Sequence, residues 1–193
     1  MRHAVSKELH AYWNALRAGH AAPARNDVEP GAIRGILGDT FVLDFDAGGF
    51  PFRIGGSRIN ALFLQELRGV SFLKLWREPD WPDVKTALRD VAANSQPSLL
   101  CAEARAPGAG PLEIEVMLLP LCHHGSTQSR VLGSLSAAAT PHWLGLIGAG
   151  PATLTSVTTL GPVVWPTPSA EAQRCSPAAR APERRGRLLV YSR

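Results

Sequence analysis

Apolar residues recur at helical spacing near the start of the chain. Val5, Leu9, Tyr12, Trp13 and Leu16 fall on one face, and Lys7, Glu8, Asn14 and Arg17 on the other. The spacing predicts an amphipathic helix that Gly19 ends, since glycine suits the left-handed C-cap. The stripe of Val5, Leu9, Trp13 and Leu16 has two uses open to it: covering one face of a sheet, or pairing with its copy in a dimer. A loop carrying Pro23 follows, and then Asp27 and Pro30 suit the cap and first turn of a short helix.

The period then changes from 3.6 to 2. Phe41, Leu43 and Phe45 alternate with polar or smaller residues, and so do Phe50, Phe52 and Ile54. Asp46-Ala47-Gly48-Gly49 between them has tight-turn composition, so a hairpin is predicted, with Pro51 best placed on an edge strand. Short helices fill the stretch from Gly55 to Asn94. One carries Ile59, Leu62 and Phe63, a compact apolar turn runs over Ser71–Trp76, and a longer helix over 80–93 turns Val84, Leu88 and Val91 inward. Strands return at 97–106, at Leu112, Ile114, Val116 and Leu118 alternating with Glu113 and Glu115, and at 130–138. Separated strand groups with helices between them imply an α+β fold on an antiparallel sheet rather than a doubly wound parallel one.

Charge refines the organisation. The chain has 20 Lys and Arg against 16 Asp and Glu, a formal net charge of +4, and a sequence pI near 9.3. Residues 1–160 hold 14 basic and 14 acidic side chains; residues 161–193 hold six Arg against Glu171 and Glu183. The body is neutral and the basic character belongs to the end. Three parts are therefore expected: a helix and loop over 1–26, a domain over 27–145, and a Pro- and Arg-rich extension over 146–193. The extension is expected to be largely flexible, with one more short strand at 187–191.

The three cysteines (Cys101, Cys122, Cys175) are scattered and without CxxC spacing, which suggests neither a disulfide framework nor a structural zinc site. The first residues lack an apolar signal-peptide core, so a cytoplasmic location is expected. Trp143–Trp165 is uncharged and long enough for a bilayer, yet only 12 of its 23 residues are apolar, and Pro151 and Pro162 interrupt it. No membrane span is expected.

The order helix, two strands, several short helices, three strands is similar to the PAS fold. The chain further resembles bacterial stand-alone PAS-domain proteins of about this length. The resemblance rests on Leu9-x-x-Tyr12-Trp13-x-x-Leu16-Arg17, on Pro23-x-Arg25 with Pro30, and on Phe52-Arg53-Ile54-x-Gly56-Ser57-Arg58. It continues through Gly69-x-Ser71-Phe72-x-x-Leu75-Trp76, Leu118-Leu119-Pro120-Leu121, Gly133-Ser134-Leu135 and Pro141-x-Trp143-Leu144-Gly145. It spans about residues 7–150. The resemblance implies a PAS-like five-stranded antiparallel sheet with short helices on one face, and a non-enzymatic sensory or regulatory module in bacterial signalling. Such a module acts through a small ligand, a protein partner or a homodimer. No output domain has room after residue 150, so any output is expected to pass through a partner.

In that fold the inward set is Phe41, Leu43, Phe52, Ile54, Ile114, Val116 and Leu118, with Phe63 and Trp76 from the helices. Together they either fill the core or line a pocket for a small apolar ligand. Arg53 and Arg58 either grip an acidic ligand or partner, or stabilise the fold. The helices over 55–94 contain neither His nor Cys, which disfavours histidine-ligated haem and a flavin–cysteine adduct; the sequence requires no cofactor.

Other motifs have plainer explanations. Gly148-Ala149-Gly150 lacks the third glycine and following acid of a dinucleotide-binding loop. Cys122, His123, His124 and His142 read as polar loop residues rather than metal ligands, and the pairs Asp44/Asp46 and Asp80/Asp83 as a strand end and a helix start. Gly-x-Ser-x-Gly is absent, and no catalytic set is recognised. An enzyme using the same pocket, or a nucleic-acid regulator acting through the basic tail, stand as alternatives; the tail lacks the interleaved aromatics that stack on single strands.

Overall fold

The computed structural model describes residues 1–45, 49–122 and 130–160, together with the backbone of 183–185 and 188–190. Asp46–Gly48 of the turn expected over Asp46–Gly49, His123 and His124, and most of the arginine-rich end lie outside the described residues. Helix α1 spans Ala4–Leu16, followed by 3-10 turns at Arg25–Asp27, Pro30–Ile33 and Leu37–Asp39. Strands β1 (Thr40–Leu43) and β2 (Phe52–Gly55) precede helix α2 (Ser57–Phe63), a 3-10 turn at Phe72–Leu75 and helix α3 (Trp81–Asn94). Strands β3 (Ser98–Ala104), β4 (Leu112–Leu121), β5 (Arg130–Ala137) and β6 (Thr153–Thr159) complete the body.

The fold is α+β. Its sheet is antiparallel and six-stranded, in the order β2-β1-β5-β4-β3-β6. The expected five strands are all present, and β6 is added beyond them on the outer side of β3. It lies past residue 145, inside the segment assigned to the extension. Thr153-Leu154-Thr155-Ser156-Val157-Thr158-Thr159 shows no apolar alternation because all of it except Leu154 is exposed. Its Thr and Val residues suit an edge strand without marking one. A separate two-stranded ribbon pairs β7 (Glu183–Arg185) with β8 (Leu188–Val190); β8 falls within 187–191, where one short strand was expected, and β7 precedes it.

Strand parity divides the core in two. On one face Phe41, Leu43, Leu100, Ile114, Val116 and Leu118 pack beneath α2, the Phe72–Leu75 turn and α3. On the other, Val42, Leu99, Met117, Leu119 and Leu132 pack against Leu9 and Trp13 of α1. Leu9 and Trp13 are buried while Val5 and Leu16 are half-buried, so in this chain α1 covers its own sheet. Trp13 Nε1 donates to the Pro120 carbonyl at 2.8 Å. At the start of the same helix, the buried Glu115 carboxylate accepts the backbone N–H groups of Arg2 (2.7 Å) and His3 (3.1 Å). A carboxylate there also complements the positive end of the helix dipole.

Two glycines let elements approach closely. A Cβ on Gly133 would collide with the Phe41 ring and sit 2.7 Å from the Met117 carbonyl oxygen. One on Gly56 would run into the Gly38 carbonyl and lie 2.7 Å from that of Leu37.

Ile54 corrects the expected inward set: it is 48% exposed. The β1–β2 register shifts between Val42 and Leu43, so that Leu43 opposes Phe52 but Val42 opposes Ile54. Arg53 is therefore bulged out. A bulge of one residue reverses facing, and Ile54 shares the face of Val42 at the sheet edge. Cys101 is a free, half-buried thiol.

Candidate functional site

Apart from Ile54, the residues expected to line a ligand pocket are brought together, packed in or against the core. Phe41 and Phe52 meet edge to face with centroids 5.5 Å apart, and Phe72 lies 5.5 Å from Phe41, 5.7 Å from Phe52 and 5.8 Å from Trp76. Phe72, from the apolar turn, thus occupies the centre of the cup. Leu43, Ile114, Val116 and Leu118 are buried around these rings, and Phe63 is half-buried against them. The Trp76 indole N–H is buried without an acceptor among the described residues.

Open space lies instead at one end of the sheet, where β5, α1, α2 and the Leu37–Asp39 turn converge. A cleft of about 250 Å³ has apolar walls from Val5, Leu62, Leu135 and Leu144 and a polar corner from Arg58 and Asp39. The corner is built by local sequence. Gly56 seats the first turn of α2 against the Gly38 backbone, which brings Arg58, the second residue of α2, over the Leu37–Asp39 turn. Arg58 Nε donates to Asp39 Oδ1 at 2.9 Å and Nη2 lies 2.7 Å from Oδ2, a two-pronged pair. Nη2 also donates to the Gly35 carbonyl at 3.2 Å. Asp39 is almost buried and Arg58 about half exposed, with side-chain exposures of 11% and 53%. The pair therefore presents donors and acceptors to the cleft with no net charge.

Of the two arginines singled out from sequence, only Arg58 reaches this cleft. Arg53 makes an exposed contact with Asp44 at 3.5 Å, and Asp44 takes the stronger bond from Arg130 Nε at 2.8 Å. Asp39, Leu135 and Leu144 escaped the sequence reading as site residues. Asp39 and Arg58 lie 19 positions apart on different elements, and no periodicity links them. The Gly56-Ser57-Arg58 stretch was visible in the sequence, but not its meeting with Asp39.

Among the described residues no group of three or more His, Cys, Asp or Glu is placed to hold a metal ion. His142 is exposed. Asp80, read from sequence as part of a helix start, accepts the Leu154 backbone N–H at 2.9 Å and so ties α3 to β6. No helix among the described residues is long and apolar enough to cross a membrane.

No curated protein matches this chain closely enough to be counted as a relative. The family model described as "PAS domain" matches residues 1–136, from just before α1 to the penultimate residue of β5. That range takes in both layers of the core, Asp39, Arg58 and all but the closing wall of the cleft, and it exceeds half of the chain: the protein belongs to the PAS-domain family.

Proposed function

We propose that this chain is a non-enzymatic PAS-type regulator that binds a small, largely apolar molecule in the Arg58–Asp39 cleft and signals through a protein contact. The observation that carries this reading is the cleft itself. Val5, Leu62, Leu135 and Leu144 give it aliphatic walls, Ser136 and Thr140 add neutral hydroxyls, and its charged corner is an ion pair already neutralised within the protein. Burying a ligand charge against that corner brings an uncompensated desolvation cost, whereas an uncharged polar end can satisfy it. The favoured ligand thus has an apolar body and a neutral hydrogen-bonding head, such as an amide, hydroxyl or lactone. Because the cleft is bordered by Val5 of α1 and Leu62 of α2, filling it acts on elements from both layers at once. No cofactor is needed for this role.

The output contact is supported by a second observation. Leu64 and Leu146 are 56% and 75% exposed, on two segments held together by the Gly145 N–H bond to the Ala61 carbonyl and the Ala149 N–H bond to that of Leu62. An apolar pair of this kind beside the cleft suits a protein partner or a second copy.

The test is a thermal-shift series on the full chain with octanamide, octanol and octanoate, beside native mass spectrometry of the purified protein. The expected result is stabilisation by the amide and alcohol exceeding that by the carboxylate, abolished in Leu144→Asp. Equal or absent shifts for all three, with a clean ligand-free mass, overturn the ligand reading. Unchanged self-association and partner capture in Leu146→Asp overturn the contact reading.

A further inference from the structure

A second cavity lies on the opposite flank, between α3 and β6, with a volume of about 380 Å³. It is independent of the Arg58 cleft and of the reading built on it. Asp80, Asp83, Ala87 and Asp90 follow the i, i+3, i+7, i+10 spacing of one helix face, and all four line this groove. Among the described residues none of the three carboxylates is in an ion pair. Asp80 accepts the Leu154 N–H, Asp90 accepts the Asn94 side-chain amide at 3.3 Å, and Asp83 is exposed. Three negative charges along one wall raise the local concentration of cations.

The floor supplies a separate indication of a ligand. Ser98 is 1% exposed, lines the groove, and its hydroxyl has no hydrogen-bond partner among the described residues. By strand parity it shares the face of Leu100, which packs beneath the helices, so it points toward α3. A buried hydroxyl without a partner costs about 1–3 kcal/mol unless something else satisfies it. Leu154 and Val157 of β6 complete the groove with apolar surface, Val157 being 41% exposed.

Carboxylates spaced along a rim, apolar side walls and a hydroxyl at the floor match one ligand chemistry: ammonium groups separated by methylenes. We propose that this groove binds a linear aliphatic polyamine. One terminal ammonium donates to Ser98 Oγ, the methylenes lie on Ala87, Leu154 and Val157, and the remaining ammonium groups meet Asp83 and Asp90. Those two residues are about 10 Å apart along the helix axis. An ammonium has three donors and no acceptor, which suits a site made of acceptors.

Calorimetric titration of the full chain with spermidine, and separately with putrescine, magnesium chloride and a lysine-rich peptide, tests this. Saturable one-to-one binding of spermidine is expected, tighter than that of putrescine. Its Kd should rise at least tenfold in Asp83→Asn/Asp90→Asn and several-fold in Ser98→Ala. These variants leave the Asp80–Leu154 bond in place, and their circular dichroism should match the parent. The proposal is overturned by absence of saturable binding at millimolar spermidine. It is equally overturned by unchanged affinity in either variant, by magnesium binding as tightly to the same carboxylates, or by binding of the peptide alone, which would make the groove a protein-docking surface.

Discussion

Trp13 Nε1 and the Pro120 carbonyl oxygen, 107 positions apart in the chain, are joined by a buried 2.8 Å hydrogen bond. Pro120 sits in β4 opposite Val131 of β5, so one side chain of α1 is fastened to the centre of the sheet. Trp13→Phe keeps most of the apolar area but leaves that carbonyl without its donor. A loss of about 1–3 kcal/mol is expected, against about 3–5 kcal/mol for Trp13→Ala. Urea denaturation at neutral pH measures both, and no loss in Trp13→Phe would show that the hydrogen bond contributes nothing beyond packing.

Glu115 fixes the other end of the same helix. Burial pushes its carboxyl up, but the Arg2 N–H, the His3 N–H and the charge of His3 outweigh this and hold it below the usual carboxylate range. A folded-state value below the unfolded one means that the ionised form favours folding. Its contribution is complete above the unfolded value and is lost as pH falls through the lowered one. Glu115→Gln should cost about 1.5–3 kcal/mol at neutral pH, with the gap to the parent closing only as pH drops below the ordinary carboxylate range. A gap that is constant down to that range and beyond would contradict this assignment.

Gly133 faces the Phe41 ring across the β1–β5 ladder, Phe41 being its register partner. Gly133→Ala forces the ring or the strand to move and should destabilise by about 1–3 kcal/mol, the usual range for overpacking. Pairing it with Phe41→Leu, which frees space at the ring position, should recover part of the loss. A double-mutant cycle reads this directly; additive losses would mean that the two residues do not press on each other.

Ile54 and Phe52 are two residues apart and differ in exposure, at 48% and 1%. Ile54→Thr should change stability by no more than about 0.5 kcal/mol, as for ordinary surface positions, while Phe52→Ala should cost about 3–5 kcal/mol. Thermal melts of the two variants compare them. A large loss in Ile54→Thr would mean that this face of β2 is covered in solution.

Much of the fold was legible because it rests on periodicity. The α1 stripe, the alternation through Leu112–Leu118 and the helix over Trp81–Asn94 each expose a one-sided apolar pattern, which is what burial on one side writes into a sequence. Strand β6 left no such trace, since an edge strand buries little. Ile54 was misplaced because a bulge changes parity without changing the pattern of residue types. The expected pocket residues other than Ile54 pack in or against the core, and Phe72 packs among their rings because its place there depends on how whole elements meet.

The sequence by itself determined the α+β class, the antiparallel sheet and the amphipathic first helix, because these follow from local period and turn chemistry. It also located the net charge, with a neutral body through residue 160 and six arginines beyond it. Tertiary structure alone decided which face α1 covers and where open space remains. It set Arg58 against Asp39 across the Gly38–Gly56 contact, and Asp83 and Asp90 over the unpartnered Ser98. Those relationships join positions far apart in the chain, where contact depends on the packing of whole elements and no local pattern records it.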